Sequence, residues 1–155
     1  MSISINYGTR TEFGSDSNLA SLANAAACAI GQVDNHSAGN CGYLVDFTIV
    51  GASSGVSATG TVVFYLIQAP NVSGSPGTYT DGISVTGASV AGAIKNARLV
   101  YVANLNANSL TINDCFLLPV PDPGAFWSLV ILNSSGAALA ASGHSVYYEP
   151  FTYND

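Results

Sequence analysis

Between Tyr43 and Val50 hydrophobic and polar side chains alternate: Tyr43, Val45, Phe47 and Ile49 fall on one face, Asp46 and Thr48 on the other. A period of two marks a strand with one buried face. The next run, Thr61–Gln68 (TVVFYLIQ), is apolar on both faces, with Val62, Phe64 and Leu66 opposing Val63, Tyr65 and Ile67. A strand of this kind is either central and covered on both sides or packed against a neighbouring subunit. Further strands are predicted at Ser2–Asn6, Ala97–Ala103 (ARLVYVA), Ser109–Phe116 (SLTINDCF), Phe126–Asn133 (FWSLVILN) and Ser145–Phe151 (SVYYEPF). Pro150 cannot donate to a ladder, which predicts an edge position or a strand end for the last of these.

Turn signals separate the runs every ten residues or so, the spacing of a sandwich or barrel. Gly51–Gly60 reads as a flexible connection, Asn104–Asn108 as a hairpin turn, Pro119–Gly124 (PVPDPG) as a tight loop and Ser134–Gly136 as a turn. Pro70–Gly82 (PNVSGSPGTYTDG) is long and rich in turn formers, and loops of that size are usually functional or mobile, so it is a candidate contact loop. Asn18–Ile30 (NLASLANAAACAI) has two readings. Good helix formers, a cap at Asp16 or Ser17 and a stop at Gly31 favour a helix; the run of small residues equally suits an irregular strand along a surface. The count is about eight strands, the number of a jelly roll. The expected fold is therefore all-β, an antiparallel β-sandwich of jelly-roll type. Residues 1–18 are expected to form an arm reaching a neighbour, and 19–155 a single β-sandwich domain.

Composition changes what the surface must look like. Of 155 residues 48% are hydrophobic and only 8% charged, against about 25% charged in an average protein. With 8 Tyr, 6 Phe and 1 Trp this is not a disordered tail. The longest apolar run, Thr61–Ala69, is about half of the roughly 20 residues a helix needs to cross a bilayer. No basic segment followed by an apolar one opens the chain, so Met1 reads as the true start of a protein not exported by that route. Nine acids face three bases, Arg10, Lys95 and Arg98, for a net charge of −6. So few bases disfavour nucleic acid and anionic membranes as partners. A charged exterior normally keeps a monomer unassociated; this chain lacks one, which implies that part of its surface is buried against other chains.

Motifs with chemical meaning are sparse. Gly51-Ala52-Ser53-Ser54-Gly55 matches G-x-S-x-G, but a nucleophile elbow needs a helix after the serine, and here another strand is predicted. His36 and His144 are the only histidines. Cys28, Cys41 and Cys115 have neither disulfide-framework nor zinc spacing; they read as buried thiols, with a Cys28–Cys41 bridge left open. A zinc site from Cys28, Asp34, His36 and Cys41 would lack the usual ligand pairs, and a calcium site from loop oxygens at Asp81 or Asp122 is left open, although single Asp residues beside glycine are far more often turn formers. Asp46, Asp114 and Glu149 each stand alone on a predicted strand, with nothing to place two at glycosidase spacing. Asn35-His36-Ser37, Asn71-Val72-Ser73 and Asn133-Ser134-Ser135 match the glycosylation pattern by composition alone. No catalytic residue, metal or cofactor is expected. Phe47, Phe64, Tyr65, Tyr101 and Phe126 read as core. Trp127, Tyr147, Tyr148, Phe151 and Tyr153, near the chain end, read as interface aromatics, with Tyr79 on the contact loop.

Several stretches resemble small structural proteins of tailed bacteriophages: Ser21-Leu22-Ala23-Asn24 followed by Val33-Asp34-Asn35, Thr78-Tyr79-Thr80-Asp81-Gly82, Asn96-Ala97-Arg98-Leu99, and Trp127 through Leu139 (WSLVILNSSGAAL). The resemblance runs in order from Ser21 to Tyr153, and the cysteines and the Pro119–Gly124 loop depart from it. It implies an extended Ser21–Asn24 segment and a non-enzymatic β-sandwich virion component made in the host cytoplasm. The leading expectation is a capsid cement, or decoration, protein that binds the major capsid protein and bridges capsomers, a homo-oligomer, with a trimer favoured at a local three-fold. The alternative is a tail, neck or fibre component in assembly or host attachment, with Tyr79 and Asn71 available to carbohydrate.

Overall fold

The structure, a computed structural model, describes residues 4–36, 38, 40–85, 94–119 and 125–154. Two antiparallel sheets face each other. In the first, β1 (Ser4–Tyr7) and β2 (Thr11–Ser15) share one edge, followed by β12 (Ser145–Asn154), β5 (Gly42–Val50) and β10 (Thr111–Pro119). In the second, β3 (Ala27–Ala29) and β4 (Val33–Asp34) share an edge, followed by β11 (Phe126–Ser134), β6 (Thr61–Ala69) and β9 (Arg98–Asn104). Each sheet is thus four positions wide, and in chain order those positions run 1-8-3-6 in one sheet and 2-7-4-5 in the other. That is the order of a jelly roll, which the count of strands alone left open. A small hairpin, β7 (Asn71–Val72) with β8 (Ser75–Pro76), and a 3-10 turn at Thr80–Gly82 lie between β6 and β9.

The alternation in β5 places its odd-numbered residues inward: Tyr43, Val45, Phe47 and Ile49 are all buried. They meet Val62, Phe64 and Leu66 of β6, Trp127, Leu129 and Ile131 of β11, and Phe116 and Leu118 of β10 in one core. Aromatic clusters close both ends of it. Phe47 and Phe64 lie 4.6 Å apart, beside Tyr101 stacked on Phe116 at 5.0 Å. At the opposite end Trp127 meets Tyr43 at 4.8 Å and Phe13 at 5.1 Å, edge to face.

Three expectations from the sequence are corrected. Asn104–Asn108 is no hairpin turn: β9 and β10 belong to different sheets, and the segment carries the chain across the sandwich. Leu105 within it is completely buried and its N–H donates to Gly60 O, which a solvent-facing hairpin tip would not allow. Gly60 must be glycine there, because a Cβ would stand 2.3 Å from Leu105 O. The segment expected as an arm instead runs along the chain's own first sheet, paired to β12 from Ser4 to Ser15 with a break at residues 8–10.

The third correction concerns β12, which is not an edge but lies between β1/β2 and β5. Pro150 is accommodated because its carbonyl accepts from Gly8 N–H at 2.7 Å, so its backbone faces the break between β1 and β2 where no donor is needed. The Asn18–Ile30 segment is neither one helix nor one strand. A single helical turn, α1 (Asp16–Leu19), ends before Ser21 and Ala25, both with left-handed backbones (φ 56° and 62°) that a helix cannot continue through, and only Ala27–Ala29 is strand. The Pro119–Gly124 loop lies outside the described residues apart from Pro119, which ends β10.

Candidate interface surfaces

The outer faces of the two sheets differ. Beyond β6 the chain folds back over the outside of the second sheet, and Tyr79 and Ile83 cover Ile67, Ala69, Ala27, Ala29, Phe126 and Val130 in a second apolar cluster. This resolves the two-sided hydrophobicity of β6: it is central and covered on both sides toward its C-terminal end. Two side chains hold this strap. Thr80 Oγ1 accepts from Gln68 N–H at 3.1 Å. The Asp81 carboxylate accepts from the N–H groups of Lys95, Asn96 and Ala97 at 2.8, 2.7 and 3.1 Å and from Asn96 Nδ2 at 2.7 Å. Those amides hold the Asp81 carboxyl below its ordinary value, the Lys95 N–H foremost. A carboxylate saturated with donors is a staple, not a calcium ligand.

Two pairs of the quoted motifs meet in space. The Thr78–Gly82 loop is bound through Asp81 to Asn96 and Ala97. The Ser21–Asn24 segment is stitched to the turn after β11: Asn133 Nδ2 donates to Leu22 O and Ala137 O at 2.7 and 2.8 Å, and Gly136 N–H donates to Asn24 Oδ1 at 2.8 Å. Asn133 is itself fully buried. These motifs have framework roles in this chain.

The outer face of the first sheet carries no strap among the described residues. Strand pairing places Ile5 opposite Tyr153 and Tyr7 opposite Phe151, and Leu44 opposite Leu117 and Glu149. Ile5, Tyr7, Tyr153 and Leu117 are 49%, 54%, 55% and 60% exposed. Phe151, packed against Tyr7 and Tyr153, fills the space above Gly42, where a Cβ would lie 2.4 Å from its ring. Toward the other end the face turns polar: Arg10 pairs with Asp46 and stacks 3.5 Å over the Tyr147 ring.

Of the aromatics read as interface, only Tyr153 is well exposed. Trp127 is wholly inside the core and offers no surface to a partner; its position in an apolar run between Phe126 and Leu129 was the signal for this. Tyr148 packs inward against Tyr43, Phe13 and Trp127. Tyr147 lies under Arg10, Phe151 is mostly covered, and Tyr79 is buried with its hydroxyl unpartnered. Ile5, Tyr7 and Leu117, which sequence reasoning passed over, are the exposed apolar residues of this face, while Leu99 and Val102 on β9 and Val72 on the hairpin are exposed elsewhere.

Of the candidate chemical groups only Asp34 and His36 are brought into contact. Cys28 is buried in the core, its thiol pushed up to about 12 by burial; Cys41 is half-buried, Cys115 exposed, and all three are free, so the Cys28–Cys41 bridge is absent. His36 Nδ1 bonds Asp34 at 2.8 Å, and its ring stacks on Phe126. His144 Nδ1 accepts from Val50 N–H while Nε2 bonds Ala140 O. Ser53 lies in the crossover from β5 to β6, followed by strand rather than helix. Asp114 accepts from the Tyr101 hydroxyl, and it points to the opposite face of its sheet from Asp46. Glu149 shares Asp46's face, but Arg10 already binds Asp46. Asp122 lies outside the described residues. Among the described residues there is no pocket, no group of three or more His, Cys, Asp or Glu suited to a metal, and no helix long and apolar enough to cross a membrane. No family model matches the chain, and neither does any curated protein or solved structure.

Proposed function

We propose that this chain is a non-enzymatic virion structural protein, a jelly-roll module that decorates a capsid and binds the major capsid protein. The observation that carries the reading is the outer face of the first sheet, an open apolar and aromatic surface on a sandwich with few charges. Such a surface is suited to burial against another protein. Many modest contacts repeated over a shell would hold through avidity what each could not hold alone. The motif resemblance supplies the virion context, and within this chain those motifs fasten the scaffold.

The tail or fibre alternative is weakened where it relied on carbohydrate contacts. Tyr79 is buried against the second sheet as part of the strap, and Asn71 Oδ1 accepts from Gly74 N–H within its own hairpin. The deciding experiment is the copy number in purified virions, measured by quantitative mass spectrometry against the major capsid protein. Hundreds of copies in simple ratio to the shell protein support decoration; a few dozen or fewer assign the chain to tail or neck; none overturns both.

A further inference from the structure

We propose that β1 is a self-complementary edge, through which two copies of this chain pair antiparallel about a two-fold axis at Asn6. The hydrogen-bond parity of β12 sets the geometry. Phe151 O accepts from Cys41 N–H on the β5 side, and Pro150 O accepts from Gly8 N–H on the β1 side. Backbone direction alternates along a strand, so Thr152 also faces β1, where its register partner is Asn6. Asn6 therefore spends its N–H and C=O on β12, while those of Ile5 and Tyr7 point outward from the sheet. A second β1 running antiparallel about Asn6 places Ile5 opposite Tyr7 of the other copy, and Tyr7 opposite its Ile5. These are the residues with outward groups on both strands, giving four backbone hydrogen bonds.

Side chains agree with the backbone. Ile5 and Tyr7 share the exposed outer face, so the pairing sets each Ile5 beside a Tyr7 in a β-branched–aromatic contact. It also joins the two apolar patches into one. Natural edges are usually blunted by charge or proline, yet Ser4–Tyr7 has neither. The other exposed edges of the two facing sheets do: Glu12 on β2, Asp34 on β4, Arg98 on β9 and Asp114 on β10. A chain of net charge −6 meets its copy most easily along its uncharged edge. The resulting dimer is two-fold, in place of the expected trimer, and does not depend on the virion reading.

The test is sedimentation velocity on the full chain from about 1 µM to about 1 mM, the range expected for a small interface. A monomer–dimer equilibrium is expected. Ile5→Lys should weaken it on the order of tenfold, because the two-fold places each substitution in the contact twice. Ile5→Pro should also weaken it while preserving the circular dichroism spectrum, since that N–H serves no bond to β12. A second readout does not depend on losing anything. In a Cys41→Ser, Cys115→Ser background, Asn6→Cys should crosslink two copies on oxidation, because a non-hydrogen-bonded pair at about 4.5 Å between Cα atoms suits a disulfide. Ser4→Cys, off the axis, should not. A monomer at every concentration, an oligomer indifferent to Ile5→Lys, or absence of the Asn6→Cys crosslink would overturn the proposal.

Discussion

The two sheets share a core but treat their outer faces differently. The second sheet closes part of its outer face with its own strap, which is fastened by Asp81 and Thr80 over small and aliphatic residues. The first sheet leaves Ile5, Tyr7, Leu117 and Tyr153 open. Apolar surface covered intramolecularly contributes to folding, whereas apolar surface left open is available for association. One chain thus carries a β face that is partly strapped, with Leu99 and Val102 left open beside the strap, and a β face with no strap among the described residues.

Substitutions can separate the shared core from each face. Phe64→Ala removes a ring that touches Phe47, Tyr101 and Phe116 across both sheets, and should cost about 3–5 kcal/mol in denaturant unfolding, close to the whole stability of a marginal domain. Ile67→Ala acts only beneath the strap. The strap can settle into the vacated space, so the loss should fall at the lower end for such changes, about 2 kcal/mol. A cost for Ile67→Ala equal to that of Phe64→Ala would show that the strap is as rigid as the core and erase the distinction.

Asp81→Ala should leave global unfolding cooperative while the amides of Lys95, Asn96 and Ala97 lose protection in hydrogen exchange. Acid should do the same in the native chain. The Asp81 carboxyl binds its proton more weakly when folded, so the staple's contribution is complete above the ordinary aspartate range, near about pH 4, and is lost as pH falls through the lower folded value. Those three amides should therefore open on acidification in the native chain and show no such transition in Asp81→Ala. The smallest effect is expected for Arg10→Ala on the first sheet. It removes an exposed ion pair and a ring contact, worth about 1 kcal/mol or less, and should leave the strap amides untouched.

Period-two patterning made β5 legible and an unbroken apolar run made β6 legible, because each buries a face along its whole length. Position within a sheet was not legible. Pro150 and closeness to the chain end suggested an edge for β12, but a jelly roll places its last strand inside, and the proline's missing donor meets the break after Tyr7. Asn104–Asn108 has the composition of a hairpin turn, and only the buried Leu105 betrays a crossover. Leu117 was hidden for a different reason: it sits between Phe116 and Leu118, which face inward, and composition does not distinguish the outward member of such a run. The Asp81 staple spans fourteen residues or more to its donors, a separation no local pattern reports.

The contrast between a strapped face and an open edge is tested most directly by amide hydrogen exchange on the native chain, read residue by residue at low and high protein concentration. In dilute solution Asn6 and the strap amides of Lys95, Asn96 and Ala97 should be protected, while Ile5 and Tyr7 exchange freely. At high concentration Ile5 and Tyr7 should gain protection and the strap should not change. Ile5 and Tyr7 unprotected at every concentration, or strap amides that respond to concentration as they do, would contradict the account.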